Sequence, residues 1–245
     1  MDIQRIGVIG AGVMGAQIAQ VVATGGHTVH LFDISNDQLE TAMQRIEHGR
    51  FGLRAAVERG KLTEAAMHAT LERIIPVQEM EAACSDADLV IEAVPEDLKL
   101  KIRIFRRLDA VCPEQTILTS NTAGLPIAAL AGATDRPEQV LGWHWFQPCA
   151  VMKLAELVTH DETGNAALEA VTACAERSGR VVVTVRDQQM TWGFVGNRIN
   201  RAVRLEAARI VDEGLATREQ VDTIMREGFR WPMGPFELQG GGSLS

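Results

Sequence analysis

The 245-residue chain holds 24 lysines and arginines against 32 aspartates and glutamates, a net charge of −8, and is 46% hydrophobic and 23% charged. These globular proportions argue against a disordered or fibrous chain. The acidic balance, with no Lys/Arg cluster and no apolar run near the ~18 residues of a bilayer span, argues against nucleic-acid and membrane partners.

The N-terminus enters a short apolar strand at residues 5–9, with no basic segment and apolar signal core ahead of it. A glycine cluster follows, then small and apolar residues at helical spacing over 13–23, stopped by Gly25-Gly26. A second β-rich run, 28–32, closes on Asp33, which completes a βαβ unit and calls for a parallel sheet covered on both faces. Residues 36–70 predict two helices broken at Gly60-Lys61-Leu62-Thr63. Residues 89–94 predict a buried strand, 98–111 a helix and 116–119 the next strand. Residues 139–142 and 152–158 predict two more strands, and 181–185 the last.

After Asp187 the texture changes. Residues 194–213 predict a long helix, and Thr217 is the N-cap of another. The expectation is an α/β chain: a Rossmann-type, mostly parallel sheet over 1–187, then an all-helical segment over 188–239 that is an incomplete second domain. Residues 240–245, Gly-Gly-Gly-Ser-Leu-Ser, form a linker-like tail. Four scattered cysteines, Cys84, Cys112, Cys149 and Cys174, lack Cys-x-x-Cys spacing, so neither a metal site nor a disulfide framework is expected. A reducing cytoplasm is the simplest compartment.

Gly10-Ala11-Gly12-Val13-Met14-Gly15 matches G-x-G-x-x-G. Alone the pattern is weak. Here it follows a strand, opens a helix, and precedes an acid at Asp33, 18 residues beyond Gly15, which makes it a dinucleotide fingerprint. Gly10 permits the tight turn, Gly12 lets a pyrophosphate approach the backbone, and Gly15 lets the helix pack on the strand. The helix N-terminus at Val13 and Met14 offers N–H groups and partial positive charge to phosphates. Asp33 should accept the adenosine ribose hydroxyls and repel a 2′-phosphate, and Ile34-Ser35-Asn36 supplies no arginine to receive one. NAD is the expected cofactor.

The chain resembles the 3-hydroxyacyl-CoA dehydrogenases, particularly the short 3-hydroxybutyryl-CoA dehydrogenase type. The resemblance runs from residue 4 to about 238. It is carried by the glycine motif and by Asp88-Leu89-Val90-Ile91-Glu92-Ala93, Ser120-Asn121-Thr122, Gly142-Trp143-His144-Trp145-Phe146 and Val151-Met152-Lys153-Leu154-Ala155-Glu156. Gly193-Phe194-Val195-Gly196-Asn197-Arg198 and Pro232-Met233-Gly234-Pro235-Phe236-Glu237-Leu238 complete it. It implies an NAD-dependent oxidoreductase of fatty acid metabolism, passing hydride between C3 of a 3-hydroxyacyl thioester and nicotinamide. His144 would be the general acid/base, oriented by Glu156, on consecutive predicted strands. Histidine suits the role because its pKa lies near working pH. Asn197 would sit near the nicotinamide and the substrate oxygen. Glu96, Lys101 and Gln147 align with cofactor contacts, and Ser120, Asn121 and the Ala123 position with substrate contacts. Arg54, Arg59 and Lys61 are candidates to hold the CoA nucleotide.

The chain departs from the family pattern at several of these places. Ala123 stands where the motif has a substrate-contacting serine, Gln147 replaces an asparagine, Trp192 a proline, and Gly196 a branched aliphatic residue. Trp143, Trp145, Trp192 and Trp231 all fall in or beside the motifs, which suggests a reshaped pocket. The family continues beyond Pro-Phe-Glu-Leu into helices that pair subunits, so the short C-terminus weakens an expected homodimer. These departures leave three readings open: an acyl-CoA dehydrogenase; the same chemistry on a carrier-protein-bound hydroxyacyl group, a free hydroxy acid or an imine-type substrate; and a catalytically weak NAD-binding protein.

Overall fold

Val8, Ile9, Leu31, Leu89, Val90 and Ile91 are all fully buried, as befits strands covered on both faces. The structure, a computed structural model, describes residues 1–187 and 193–237. By contact the chain divides into two units, Met1–Thr191 and Trp192–Ser245.

The first unit is built on an eight-stranded sheet. Its elements are β1 (Arg5–Ile9), α1 (Val13–Thr24), β2 (Thr28–Phe32), α2 (Asn36–His48), α3 (Leu53–Glu58), α4 (Glu64–Glu72), β3 (Ile74–Val77), α5 (Met80–Cys84) and β4 (Leu89–Glu92). They continue with α6 (Leu98–Val111), β5 (Ile117–Ser120), α7 (Ile127–Ala131), β6 (Val140–Trp145), β7 (Leu154–Thr159), α8 (Asn165–Arg177) and β8 (Val181–Arg186). The strand order is β3-β2-β1-β4-β5-β6-β7-β8. β1 to β6 run parallel, and β7 turns back antiparallel to β6 with β8 parallel to β7. The chain order reverses direction between β1 and β4, the switch point outside whose carboxyl strand ends open α/β sheets bind ligands.

The expected α/β sheet is present, with local differences. The 36–70 stretch holds three helices, because the chain also breaks at Gly49 and Gly52, where an added Cβ would lie 2.4 Å from the Arg45 carbonyl oxygen and 2.7 Å from that of Ile46. The expected strand at 89–94 stops at Glu92, because the Val94 N–H turns to the Glu92 side chain. The strand expected at 139–142 runs on to Trp145 and so includes His144.

The second unit carries α9 (Val195–Asp212) and α10 (Arg218–Thr223), followed by a single π turn at Ile224–Gly228. Thr217 caps α10 with a complete capping box, its hydroxyl accepting from the Gln220 N–H while the Gln220 side chain accepts from the Thr217 N–H. No helix among the described residues is long and apolar enough to cross a membrane. Among the same residues no group of three or more His, Cys, Asp or Glu is placed to hold a metal.

Candidate active site

The glycine loop forms an open cradle that could hold a phosphate. Gly10 adopts φ +104°, and a Cβ there would lie 2.9 Å from the Ala93 carbonyl oxygen. A Cβ on Gly15 would fall 1.7 Å from the Gly10 carbonyl oxygen, so α1 can approach the loop only with glycine. Around Gly12, by contrast, a Cβ would meet nothing within 4 Å. That open space lies beside the first turn of α1, which has no acidic residue and no side-chain cap. A bound pyrophosphate fits this donor set. The loop is tied to β2 by the Gly10 N–H, which donates to the Phe32 carbonyl oxygen at 2.8 Å. Asp33 receives the Ala11 N–H on one carboxylate oxygen (2.9 Å) and the Ser35 N–H on the other (3.0 Å). A carboxylate has about four lone-pair sites, so two remain for ribose hydroxyls.

His144 and Glu156 are directly paired across β6 and β7. The His144 ring Nδ1 lies 2.8 Å from Glu156 Oε2, with both residues buried. The Phe146 ring packs against the imidazole at 4.4 Å between centroids. His144 sits near the carboxyl end of β6, the edge at which the glycine loop also opens.

A buried polar network runs along the same edge. Glu92, fully buried at the end of β4, accepts on Oε1 from Lys101 Nζ (2.7 Å) and the Val94 N–H (2.7 Å). Its Oε2 accepts from the Ser120 hydroxyl at 2.6 Å. Burial pushes the Glu92 carboxyl above the ordinary carboxylate range, while Lys101 and the hydroxyl pull it back. Lys101 Nζ also donates to the Val94 carbonyl oxygen (3.1 Å) and lies 3.4 Å from Glu96 Oε2. Glu96 in turn accepts from the Thr122 hydroxyl and from the Ala123 N–H. Asn121 accepts the Trp145 N–H on Oδ1 at 3.0 Å, which fixes the backbone next to His144. Ser120, Asn121, Glu96 and Lys101 therefore belong to one scaffold. Glu92, quoted from the sequence only as part of a motif, was given no role there. Its signal was a lone acid closing the otherwise apolar run Leu89-Val90-Ile91.

Other candidates are placed as follows. Gln147 is exposed in the turn between β6 and β7. Arg54, Arg59 and Lys61 cluster along α3 and the loop after it, with Arg54 held by Glu47 at 2.7 Å and Arg59 donating to the Arg50 carbonyl oxygen. Asn197 lies in the first turn of α9 in the second unit; Phe194 takes the N-cap position.

For Trp143 and Trp145 the expectation of a reshaped pocket is corrected. Side chains alternate along a strand, so Trp143 and Trp145 point away from the face that His144 occupies. Both are buried in the main apolar core, stacked at 4.7 Å. Trp231 belongs to the second unit, and Trp192 lies outside the described residues, as do Leu238, Gln239 and the 240–245 tail.

Two family models match the chain: "3-hydroxyacyl-CoA dehydrogenase, NAD binding domain" over residues 5–188 and "3-hydroxyacyl-CoA dehydrogenase, C-terminal domain" over 193–240. The 3-hydroxyadipyl-CoA dehydrogenase of Escherichia coli K12 is 42% identical over 97% of this chain, which spans 49% of that protein. A probable 3-hydroxybutyryl-CoA dehydrogenase of Bacillus subtilis is 39% identical over 97% of the chain and 80% of the relative. Among solved structures, 3-hydroxybutyryl-CoA dehydrogenase from Escherichia coli K12 superposes with a TM-score of 0.91 at 41% identity, covering 98% of this chain and 49% of that one. The chain thus spans about half the length of the two E. coli relatives.

Proposed function

This chain belongs to the 3-hydroxyacyl-CoA dehydrogenase family, and from that premise we propose that it oxidises the C3 hydroxyl of a 3-hydroxyacyl thioester, with His144 as the general acid/base. The observation that carries the reading is the His144–Glu156 contact at 2.8 Å, on the sheet edge that also presents the phosphate cradle. Residues 10–15 and Asp33 would hold NAD, which when bound would accept the hydride leaving substrate C3. His144 takes the proton from the C3 oxygen as the hydride departs. With Nδ1 on Glu156, that exchange falls to Nε2. The carboxylate fixes the tautomer and offsets the charge of the imidazolium.

The scaffold residues divide into two roles in this reading. Glu96, with its carboxylate partly exposed, is the cofactor contact; Lys101, buried behind it, holds Glu92 and Glu96 in place. Ser120 and Asn121 hold the strand ends, since the serine hydroxyl is spent on Glu92 and the asparagine carbonyl on Trp145. Asn197 contributes a polar contact to the substrate oxygen, and Gln147 one to the cofactor. Arg54, Arg59 and Lys61 meet the phosphates of CoA. Four free, buried cysteines suit the reducing cytoplasm.

The deciding experiment follows NADH formation with 3-hydroxybutyryl-CoA and 3-hydroxyadipyl-CoA, then repeats it with His144→Gln. Turnover should fall by about 10²–10⁴-fold, the usual worth of a general base. Turnover in the variant equal to that of the parent would remove His144 from the reaction.

A further inference from the structure

We propose that Gln17 and Arg180 are positioning residues that couple the nucleotide-binding helix to the turn carrying the catalytic strand pair, so that cofactor binding at α1 stiffens the support of His144. The proposal rests on the dehydrogenase reading only for its kinetic readout.

Gln17 lies in α1, just over one turn beyond the helix N-terminus that faces the phosphate cradle. Its side chain is buried, and Oε1 accepts the Cys149 N–H at 2.7 Å across 132 residues of sequence. Cys149 lies between β6 and β7, the strands that hold His144 and Glu156 in register. The Cys149 carbonyl is held from the other side, by Arg180 Nη1 at 2.8 Å. The same nitrogen donates to the Met152 carbonyl oxygen at 2.7 Å, Arg180 Nε donates to the Ser178 carbonyl oxygen at 3.1 Å, and the guanidinium stands over the Trp145 ring. Residues 146–153 are therefore clamped between α1 and the start of β8.

Packing alone would be met by a leucine at position 17. A buried amide is costly unless it is hydrogen-bonded, and this one gives its oxygen to the turn. Helix α1 moves as a unit, so contacts that fix its first turn also restrict Gln17. Restriction of Gln17 restricts Cys149 and, through Arg180 and Trp145, the end of β6. By linkage the effect is reciprocal: an ordered turn strengthens nucleotide binding by the same factor with which the nucleotide orders the turn.

Backbone hydrogen exchange with NAD alone reads this directly. In the parent protein, saturating NAD should slow exchange over 146–153 by about tenfold, within the usual range of couplings. Gln17→Leu should abolish that slowing, weaken NAD binding by the same factor, and lower kcat about tenfold. Gln17→Glu, which keeps an acceptor oxygen, should restore all three. A purely structural glutamine would lower the melting temperature and leave the NAD-dependent slowing intact in Gln17→Leu, and that result overturns the proposal. So does identical exchange over 146–153 with and without NAD in the parent, a measurement that needs no variant to fold. Arg180→Lys, which loses the fork of donors while keeping the charge, should halve the slowing or more; an unchanged response removes Arg180 from the coupling. If NAD slows exchange while no 3-hydroxyacyl thioester turns over, the dehydrogenase reading fails and the coupling stands.

Discussion

His144 and Glu156 face one another across an antiparallel strand pair, so a single ladder register sets the 2.8 Å contact between Nδ1 and the carboxylate. A slip of one residue would turn one of the two to the opposite face of the sheet. Beside this pair, the Trp145 N–H is bonded to Asn121, and in the following turn Cys149 is bonded by Gln17 and Arg180.

Replacing Glu156 by Gln separates geometry from charge. The amide oxygen still accepts from Nδ1, but the negative charge to which the proposed mechanism assigns stabilisation of the imidazolium is gone. We expect kcat to fall by about 10²–10⁴-fold, with the NAD dissociation constant within about twofold of the parent. Isothermal titration beside steady-state kinetics checks both values, and a large loss of NAD affinity would place Glu156 in the cofactor site instead.

Two glycines of one loop should respond in opposite ways to alanine. At Gly12 the backbone has φ −65°, and the methyl would enter open space. Gly12→Ala should cost the fold no more than about 1 kcal/mol, the scale of an N-cap change. It should weaken NAD at least about tenfold, because the methyl takes the space a phosphate needs. At Gly15 the methyl would collide with the Gly10 carbonyl oxygen at 1.7 Å. Gly15→Ala should destabilise the protein by about 1–3 kcal/mol through displacement of α1. Melting curves and NAD titrations of the pair would show whether the cradle and the packing contact are assigned to the right glycines.

Lys101 and Glu92 form a pair with 1% and 0% side-chain exposure. Breaking such a pair leaves one charge buried without compensation. Lys101→Met should cost about 3–5 kcal/mol, whereas Lys101→Met combined with Glu92→Leu should recover much of it. Urea denaturation of both variants tests this, and a single variant no less stable than the double one would contradict the pairing.

Much of the first unit was legible because its signals are local. The apolar runs of β1 and β2, the glycines between them and Asp33 at the end fix a βαβ unit within 29 residues. His144 and Glu156 were legible through the resemblance and through their places on consecutive strands. β3 escaped because Pro76 interrupts its four residues; the strand tolerates proline since it is the sheet edge, pairing among the described residues only with β2. Short helices such as α5 and α7 bury only two or three residues each and leave no periodic pattern. The supports of the site were hidden for a different reason. Gln17 and Cys149 are 132 residues apart and Ser120 and Glu92 28 apart, and neither pairing is a property of any local pattern. Trp143 and Trp145 misled because their proximity to His144 in sequence is cancelled by strand alternation.

At the opposite, amino-terminal end of the sheet, His27 gives the fold a dependence on pH. The ring is buried, with Nδ1 3.1 Å from the Ile3 carbonyl oxygen and Cys174 Sγ 3.5 Å from Nε2, and the Arg177 guanidinium lies against it. Burial, aided by the Arg177 charge, lowers its pKa from 6.5 to about 4. In the unfolded chain the imidazole titrates near 6.5, so between pH 6.5 and 4 the unfolded state binds a proton that the folded state refuses. Stability is therefore full above pH 6.5 and lost as pH falls through this window, at a rate of up to ~1 kcal/mol per pH unit. His27→Gln removes the titrating group and should flatten that part of the profile while lowering stability at pH 7.5 through its imperfect fit. Urea midpoints at half-unit steps from pH 4 to 7.5 compare the two proteins. Parallel profiles would mean that other groups carry the acid sensitivity and that His27 is protonated in the folded protein as readily as in the unfolded chain.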